Sequence, residues 1–138
     1  MESSSTIKLG EPQPVRVLLV DDDVTWTTIV RHLLRKARPG SELHWAGDVA
    51  EAGTLLQSGG FDCCLLDYRL GAQSGLDVLR HLPPEARRVP VVLLSGMDDP
   101  LLAEQASQLG VVACLSKDAV SPATLERVLR AAALRRLP

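Results

Sequence analysis

A doubly wound α/β sandwich, a parallel sheet with helices on both faces, is the fold class this sequence predicts. Three observations carry that expectation. Short β-branched and leucine-rich runs alternate five times with segments of helical period, the order that builds βαβ units and a parallel sheet. The runs are apolar almost throughout, as strands covered on both faces must be. Crossovers between parallel strands are right-handed, which makes a doubly wound sheet the simplest closure.

The elements follow in chain order. Residues 1–14 are polar, with serines, a glycine and two prolines, and read as a flexible leader ahead of a domain spanning 15–137. Val15 to Val20 is the first strand and stops at Asp21, Asp22 and Asp23. Trp26, Ile29, Val30, Leu33, Leu34 and Ala37 then recur at helical spacing until Pro39-Gly40. Leu43 to Ala46 is a second strand, and the helical pattern after it closes at Gly59-Gly60. Phe61 to Leu66 is a third strand, ending at Asp67. A loop with Gly71 and Gly75 leads to a short helix carrying Leu76, Leu79 and Leu82, broken by Pro83-Pro84. Pro90 to Leu94 ends at Ser95, and a helix follows from Pro100 to Leu109. Val111 to Leu115 stops just before Lys117. Ser121-Pro122 caps a last helix with Leu125, Val128, Leu129 and Ala132 on one face.

Composition narrows the function classes. The 138 residues are 46% hydrophobic and 23% charged, ordinary for a single globular domain and unlike a disordered chain. A formal charge of −2 supplies no basic field for direct nucleic-acid binding. No apolar run approaches the ~20 residues of a membrane span, and the amino terminus has no apolar signal core. Cys63, Cys64 and Cys114 show no metal-ligand spacing. They are expected to be reduced, mostly buried thiols of a cytoplasmic protein. Cys63 and Cys64 are neighbours in a strand, point to opposite faces and so cannot jointly chelate a metal.

In such folds ligands bind beyond the carboxyl ends of the strands. There the sequence offers Asp21, Asp22 and Asp23 after the first strand, Asp67 after the third, Ser95 after the fourth and Lys117 after the fifth. The second strand contributes nothing obvious. Any one of these residues alone is an ordinary turn or cap residue; their joint placement is the signal. Crowded carboxylates repel one another, and a hard divalent cation removes that cost. Oxygen ligands of this kind suit Mg²⁺. With Lys117 beside them, the group describes a phosphoryl-transfer site with an aspartate as nucleophile.

These residues resemble the receiver domain of the response regulators of bacterial two-component signalling. The likeness rests on VLLVDDD (17–23), LLDYRLGAQSG (65–75), VVLLSG (91–96) and CLSK (114–117), in order and at suitable intervals, and covers about Val15 to Leu134. It implies a flavodoxin-like (βα)5 fold, a five-stranded parallel sheet in the order 2-1-3-4-5. It implies that Asp67 is the phospho-acceptor, and that Asp21, Asp22, Asp67 and the backbone carbonyl of Arg69 form the Mg²⁺ site. Asp21-Asp22 is taken in preference to Asp22-Asp23 because the family's acidic pair starts directly after the apolar strand. Ser95 takes the place of the switch hydroxyl, and Lys117 that of the lysine paired with the phosphoryl group. Such a domain catalyses only its own phosphorylation and dephosphorylation. Its implied partners are a histidine kinase or histidine phosphotransfer protein docking near the first helix, a second copy through the fourth helix, fifth strand and fifth helix, and a C-terminal output domain in a longer chain. The sequence after the last helix is too short to hold that output domain.

Some positions depart from the family pattern. Asp118 replaces the usual proline after the lysine, so a trans Lys117–Asp118 bond is expected. Cys114 replaces the aromatic switch residue. Gly71 replaces a proline, which predicts a looser loop after Asp67. By the resemblance, Arg69 and Met97 occupy positions whose side chains influence phosphoryl lifetime in the family. Those departures keep open a phosphorylation-independent pseudo-receiver that only binds partners. Asp21-x-Asp23-x-Thr25 also resembles the nucleophile motif of haloacid-dehalogenase-type phosphatases. That likeness lacks a late acidic pair and room for a cap domain, and leaves Asp67 unexplained.

Overall fold

Five parallel strands form the centre of the chain in a computed structural model, which describes residues 13–83, 88–96 and 99–136. Met97, Pro84 and most of the expected leader lie outside those residues. The strands are β1 (Arg16–Val20), β2 (Glu42–Ala46), β3 (Cys63–Asp67), β6 (Val91–Ser95) and β7 (Ala113–Ser116). Their order is β2-β1-β3-β6-β7, the expected 2-1-3-4-5. Between β3 and β6, β4 (Arg69–Leu70) and β5 (Gln73–Ser74) make a separate antiparallel ladder. The helices are α1 (Val24–Ala37), α2 (Val49–Ser58), α3 (Gly75–His81), α4 (Pro100–Gln108) and α5 (Pro122–Arg136).

Alternation along each strand divides the core into two layers. Leu18, Val20, Cys64, Leu66 and Leu93 pack under α2, α3 and α4, meeting Leu56, Leu79 and Leu102. Val17, Leu19, Cys63, Leu65, Val92 and Leu94 face α1 and α5, meeting Val30, Leu34, Leu125 and Leu129. Cys63 and Cys64 thus enter opposite layers, as the pleat requires. All of β3 is buried, as the middle strand of a two-sided sheet must be.

The helices start where short polar side chains satisfy their first amides. The Asp23 carboxylate accepts from the amides of Thr25 and Trp26 to cap α1. Asp48 caps α2, and Ser74 with Asp77 forms a reciprocal capping box on α3. The Ser121 hydroxyl accepts from Thr124 N–H at the start of α5. The C-terminal end of α1 is tied to α5 through Arg38, only 8% exposed. Its Nε and Nη2 donate to the two Glu126 carboxylate oxygens at 2.8 and 3.2 Å.

Three expectations need correction. Cys114 is exposed, because β7 lies at the sheet's margin, where the helical layers that cover side chains on the faces thin out. The stretch after Asp67 is not loose: Arg69 pairs with Ser74 and Leu70 with Gln73. Gly71 reverses the chain between them at φ +60°, a conformation glycine adopts without strain. Strand ends also shift by a residue or two; the fifth starts at Ala113 rather than Val111 and extends to Ser116. The Lys117–Asp118 bond is trans, as expected, since no cis bond occurs among the described residues.

Candidate functional site

The carboxyl ends of β1, β3, β6 and β7 lie side by side, and register decides what stands there. Val20 pairs with Leu66, Asp67 with Leu94, and Ser95 with Ser116. Asp21, Asp67, Ser95 and Lys117 therefore emerge within a residue or two of one another along the sheet's rim. Asp67, Ser95 and Lys117 line one cleft of about 400 Å³, with Tyr68, Arg69, Gly96, Asp99 and Leu102 completing its wall.

Lys117 joins the acidic groups. Its Nζ donates to Asp21 Oδ2 at 2.9 Å and to Asp67 Oδ2 at 3.2 Å. The same ammonium sits 5.3 Å from the centroid of the Trp26 ring, within cation–π range. Burial alone would push the lysine's pKa down. The hydrogen bond to Asp21 and the charges of Asp67 and Asp21 outweigh it, and the net shift is upward. Lys117 is held as a cation.

Asp67 shifts upward as well. Burial is the main cause and the Asp21 carboxylate the second; Lys117 and the Arg69 amide only partly offset them. One carboxylate oxygen from each of Asp21, Asp22 and Asp67 lies within 4.8 Å of the others. Two of these residues are buried and Asp22 is exposed. One ammonium cannot neutralise three carboxylates at that spacing, so the cluster retains negative charge. Its donor set is all oxygen, the chemistry that hard divalent cations prefer.

The three consecutive aspartates separate into distinct roles. Asp21 is wholly buried, and one of its oxygens accepts from Asp23 N–H at 2.8 Å. Asp22 Oδ2 accepts from Gly71 N–H at 3.2 Å, which ties the acidic turn to the β4–β5 hairpin. Asp23 caps α1. The structure thus groups Asp21 and Asp22, not Asp23, with Asp67.

Two contributions were not read from the sequence. The Trp45 indole N–H on β2 donates to the Asp21 main-chain carbonyl at 2.6 Å, so the second strand does reach the site. Gly75 opens α3 directly against the acceptor strand, its N–H donating to Tyr68 O at 2.6 Å. A Cβ at position 75 would lie 2.4 Å from the Asp67 carbonyl oxygen. The signal available for Gly75 is a glycine at a helix start, the residue type that a close backbone approach requires, whereas nothing in the sequence marks Trp45.

Comparison with known proteins agrees with this geometry. Residues 17–130 match the response regulator receiver domain family. The chain is 30% identical over 105 residues to the cyclic di-GMP phosphodiesterase response regulator RpfG of Xanthomonas campestris, covering 75% of this chain and 28% of that one. It is 37% identical over 102 residues to the alginate biosynthesis transcriptional regulatory protein AlgB of Pseudomonas putida, covering 74% and 22%. The chain therefore spans about a quarter of the length of these curated relatives. Among solved structures, a LuxR-family two-component response regulator from Aurantimonas superposes with a TM-score of 0.79 at 24% identity, covering 90% of this chain and 88% of that one. The chemotaxis response regulator CheY4 of Vibrio cholerae gives 0.73 at 24% identity, covering 87% and 99%. At that identity the structures speak for the fold alone, while the family match spans the strand ends that carry the acidic cluster and Lys117. The chain belongs to the response regulator receiver domain family.

Proposed function

We propose that this domain accepts a phosphoryl group on Asp67 from the phosphohistidine of a histidine kinase or phosphotransfer protein. The observation that supports it most directly is the pairing of Asp67 with Lys117 on the wall of a cleft large enough for a phosphoryl group. A carboxylate oxygen of Asp67 attacks phosphorus, forming an O–P bond. The N–P bond breaks, and its electron pair returns to the donor imidazole, which takes up a proton. Lys117 meets the added negative charge, and Ser95, on the same wall, offers a hydroxyl donor to a phosphoryl oxygen.

The retained negative charge and all-oxygen donors fit a divalent cation. Asp21, Asp22, Asp67 and the Arg69 carbonyl would hold Mg²⁺. When bound it would neutralise carboxylate repulsion and spread charge over the phosphoryl oxygens. An acyl phosphate adds up to about two negative charges and three strong acceptors. Lys117, tied to both Asp21 and Asp67, must rearrange toward them. That rearrangement biases the face formed by α4, β7 and α5, and the output is a binding event, with a second copy or with an output domain in a longer chain. In this reading 15–137 is the folded receiver and 1–14 a leader outside it.

The test is incubation with acetyl phosphate and Mg²⁺, read by intact mass. A species heavier by one phosphoryl group, about 80 Da, in the parent and absent in Asp67→Asn supports the reading. An unchanged mass with Asp67 intact overturns it.

A further inference from the structure

The geometry points to Trp45 as a positioning residue for the acidic pair: its indole N–H pins the Asp21–Asp22 peptide so that Asp22 stays aimed at the cation site. This inference rests on the metal reading proposed above. Its first link is the turn at the end of β1. The Asp21 side chain is already held, by Lys117 and by Asp23 N–H. Asp22 is different. It is exposed, and its carboxylate has one long contact, to Gly71 N–H at 3.2 Å. Where that carboxylate points depends on the peptide plane that precedes it.

The end of β2 holds the backbone on both sides of the Asp21 Cα, and only the Trp45 bond falls on the Asp21–Asp22 plane itself. Asp21 N–H donates to Ala46 O at 3.1 Å, and Asp21 O accepts from Trp45 Nε1 at 2.6 Å. Ladder pairing alone supplies the first bond. The second is a side-chain addition, made by the only indole on β2. It needs the ring to lie across the strand end, and Gly47 leaves that space: a Cβ there would stand 3.3 Å from Trp45 Cζ2. Trp45 itself is 37% exposed, so core packing does not account for its place. A tryptophan on an edge strand whose polar end is spent on the backbone of the acidic turn has its main consequence in that turn.

Trp45→Phe keeps a large ring and removes the donor. Two measurements on the intact chain separate the outcomes. The first needs no metal: amide hydrogen exchange at Asp21 and Asp23 should quicken by about three- to tenfold, the loss of one neutral hydrogen bond, while amides of β3 and β6 stay unchanged. The second uses Mn²⁺, with free ion counted by electron paramagnetic resonance and Mg²⁺ as competitor. Affinity should fall by a similar factor, and Gly47→Ala, which crowds the ring, should move both readouts in the same direction by less. Unchanged exchange at Asp21 and Asp23 in Trp45→Phe overturns the pin. Faster exchange with unchanged ion affinity overturns its link to the cation site. Faster exchange in a chain whose parent form binds no Mn²⁺ keeps the pin and overturns instead the metal reading beneath it.

Discussion

Asp67 is destabilising to its own fold, and pH exposes this. Burial and the Asp21 carboxylate raise its pKa, so the native state keeps a proton on Asp67 to higher pH than the unfolded chain does. Across that window the native state binds more protons, and stability falls as pH rises. Asp67→Asn removes the penalty. Its melting temperature at pH 7 should exceed the parent's by about 2–6 °C, and the gap should close toward pH ~3.5. Saturating Mg²⁺ should narrow the gap at pH 7, because a bound cation offsets the same repulsion. Scanning calorimetry at the two pH values, with and without Mg²⁺, checks all three. Lys117 behaves oppositely: its raised pKa contributes stability present below the ordinary lysine range and lost only as pH rises through the raised value. Asp67 and Lys117 were legible in the sequence because each follows an apolar strand directly, where a side chain must face the sheet's rim. Trp45 was not, because its bond runs to another strand's backbone, and strand register is invisible until the sheet is assembled.

Between elements, the α1–α5 seam carries a charge pair between buried Arg38 and half-buried Glu126. The hydrogen bond from Arg38 is the main cause of the lowered Glu126 pKa; burial opposes it, and Arg130 adds to it. A lowered carboxylate pKa gives stability that is present above the unfolded value and lost as pH falls through the folded one. Glu126→Ala leaves the buried Arg38 guanidinium with the Gln13 carbonyl, 3.3 Å from Nη1, in place of a carboxylate. Urea unfolding should show a loss of about 2–4 kcal/mol, close to that for breaking a buried pair. Arg130→Ala should cost under about 1 kcal/mol, because that side chain is two-thirds exposed. The helices themselves were readable from the apolar period and from Ser121-Pro122 and the aspartates that start them. The β4–β5 hairpin was not: strands of two residues each have no period to detect. Replacing proline with glycine at 71 suggested slack where the chain uses glycine to turn back and pair.

Over the whole molecule, the three thiols report on opening. Cys63 is pushed up to about 12 and Cys64 higher still by complete burial, so neither forms thiolate near neutrality. Cys114 lies exposed on the edge strand. In the native state an aromatic disulfide reagent should titrate one thiol quickly, and in guanidinium all three. The slow phase for the other two then measures opening of the central sheet, and its loss in Cys114→Ala would show that the assignment of the fast thiol is wrong. The strand–helix alternation made the layered class readable. Strand order came from the family likeness, since periodicity says which residues are buried but not which strands are neighbours.

The contact between Gly75 and the Asp67 carbonyl oxygen makes α3 and the acceptor strand a single joint. In a saturation library screened for folded, acetyl phosphate-reactive chains, position 75 should accept almost nothing, not even alanine, although it neither donates charge nor reaches the cleft. Its intolerance would rival that of Asp67 for a wholly different cause: the lack of room for one carbon atom.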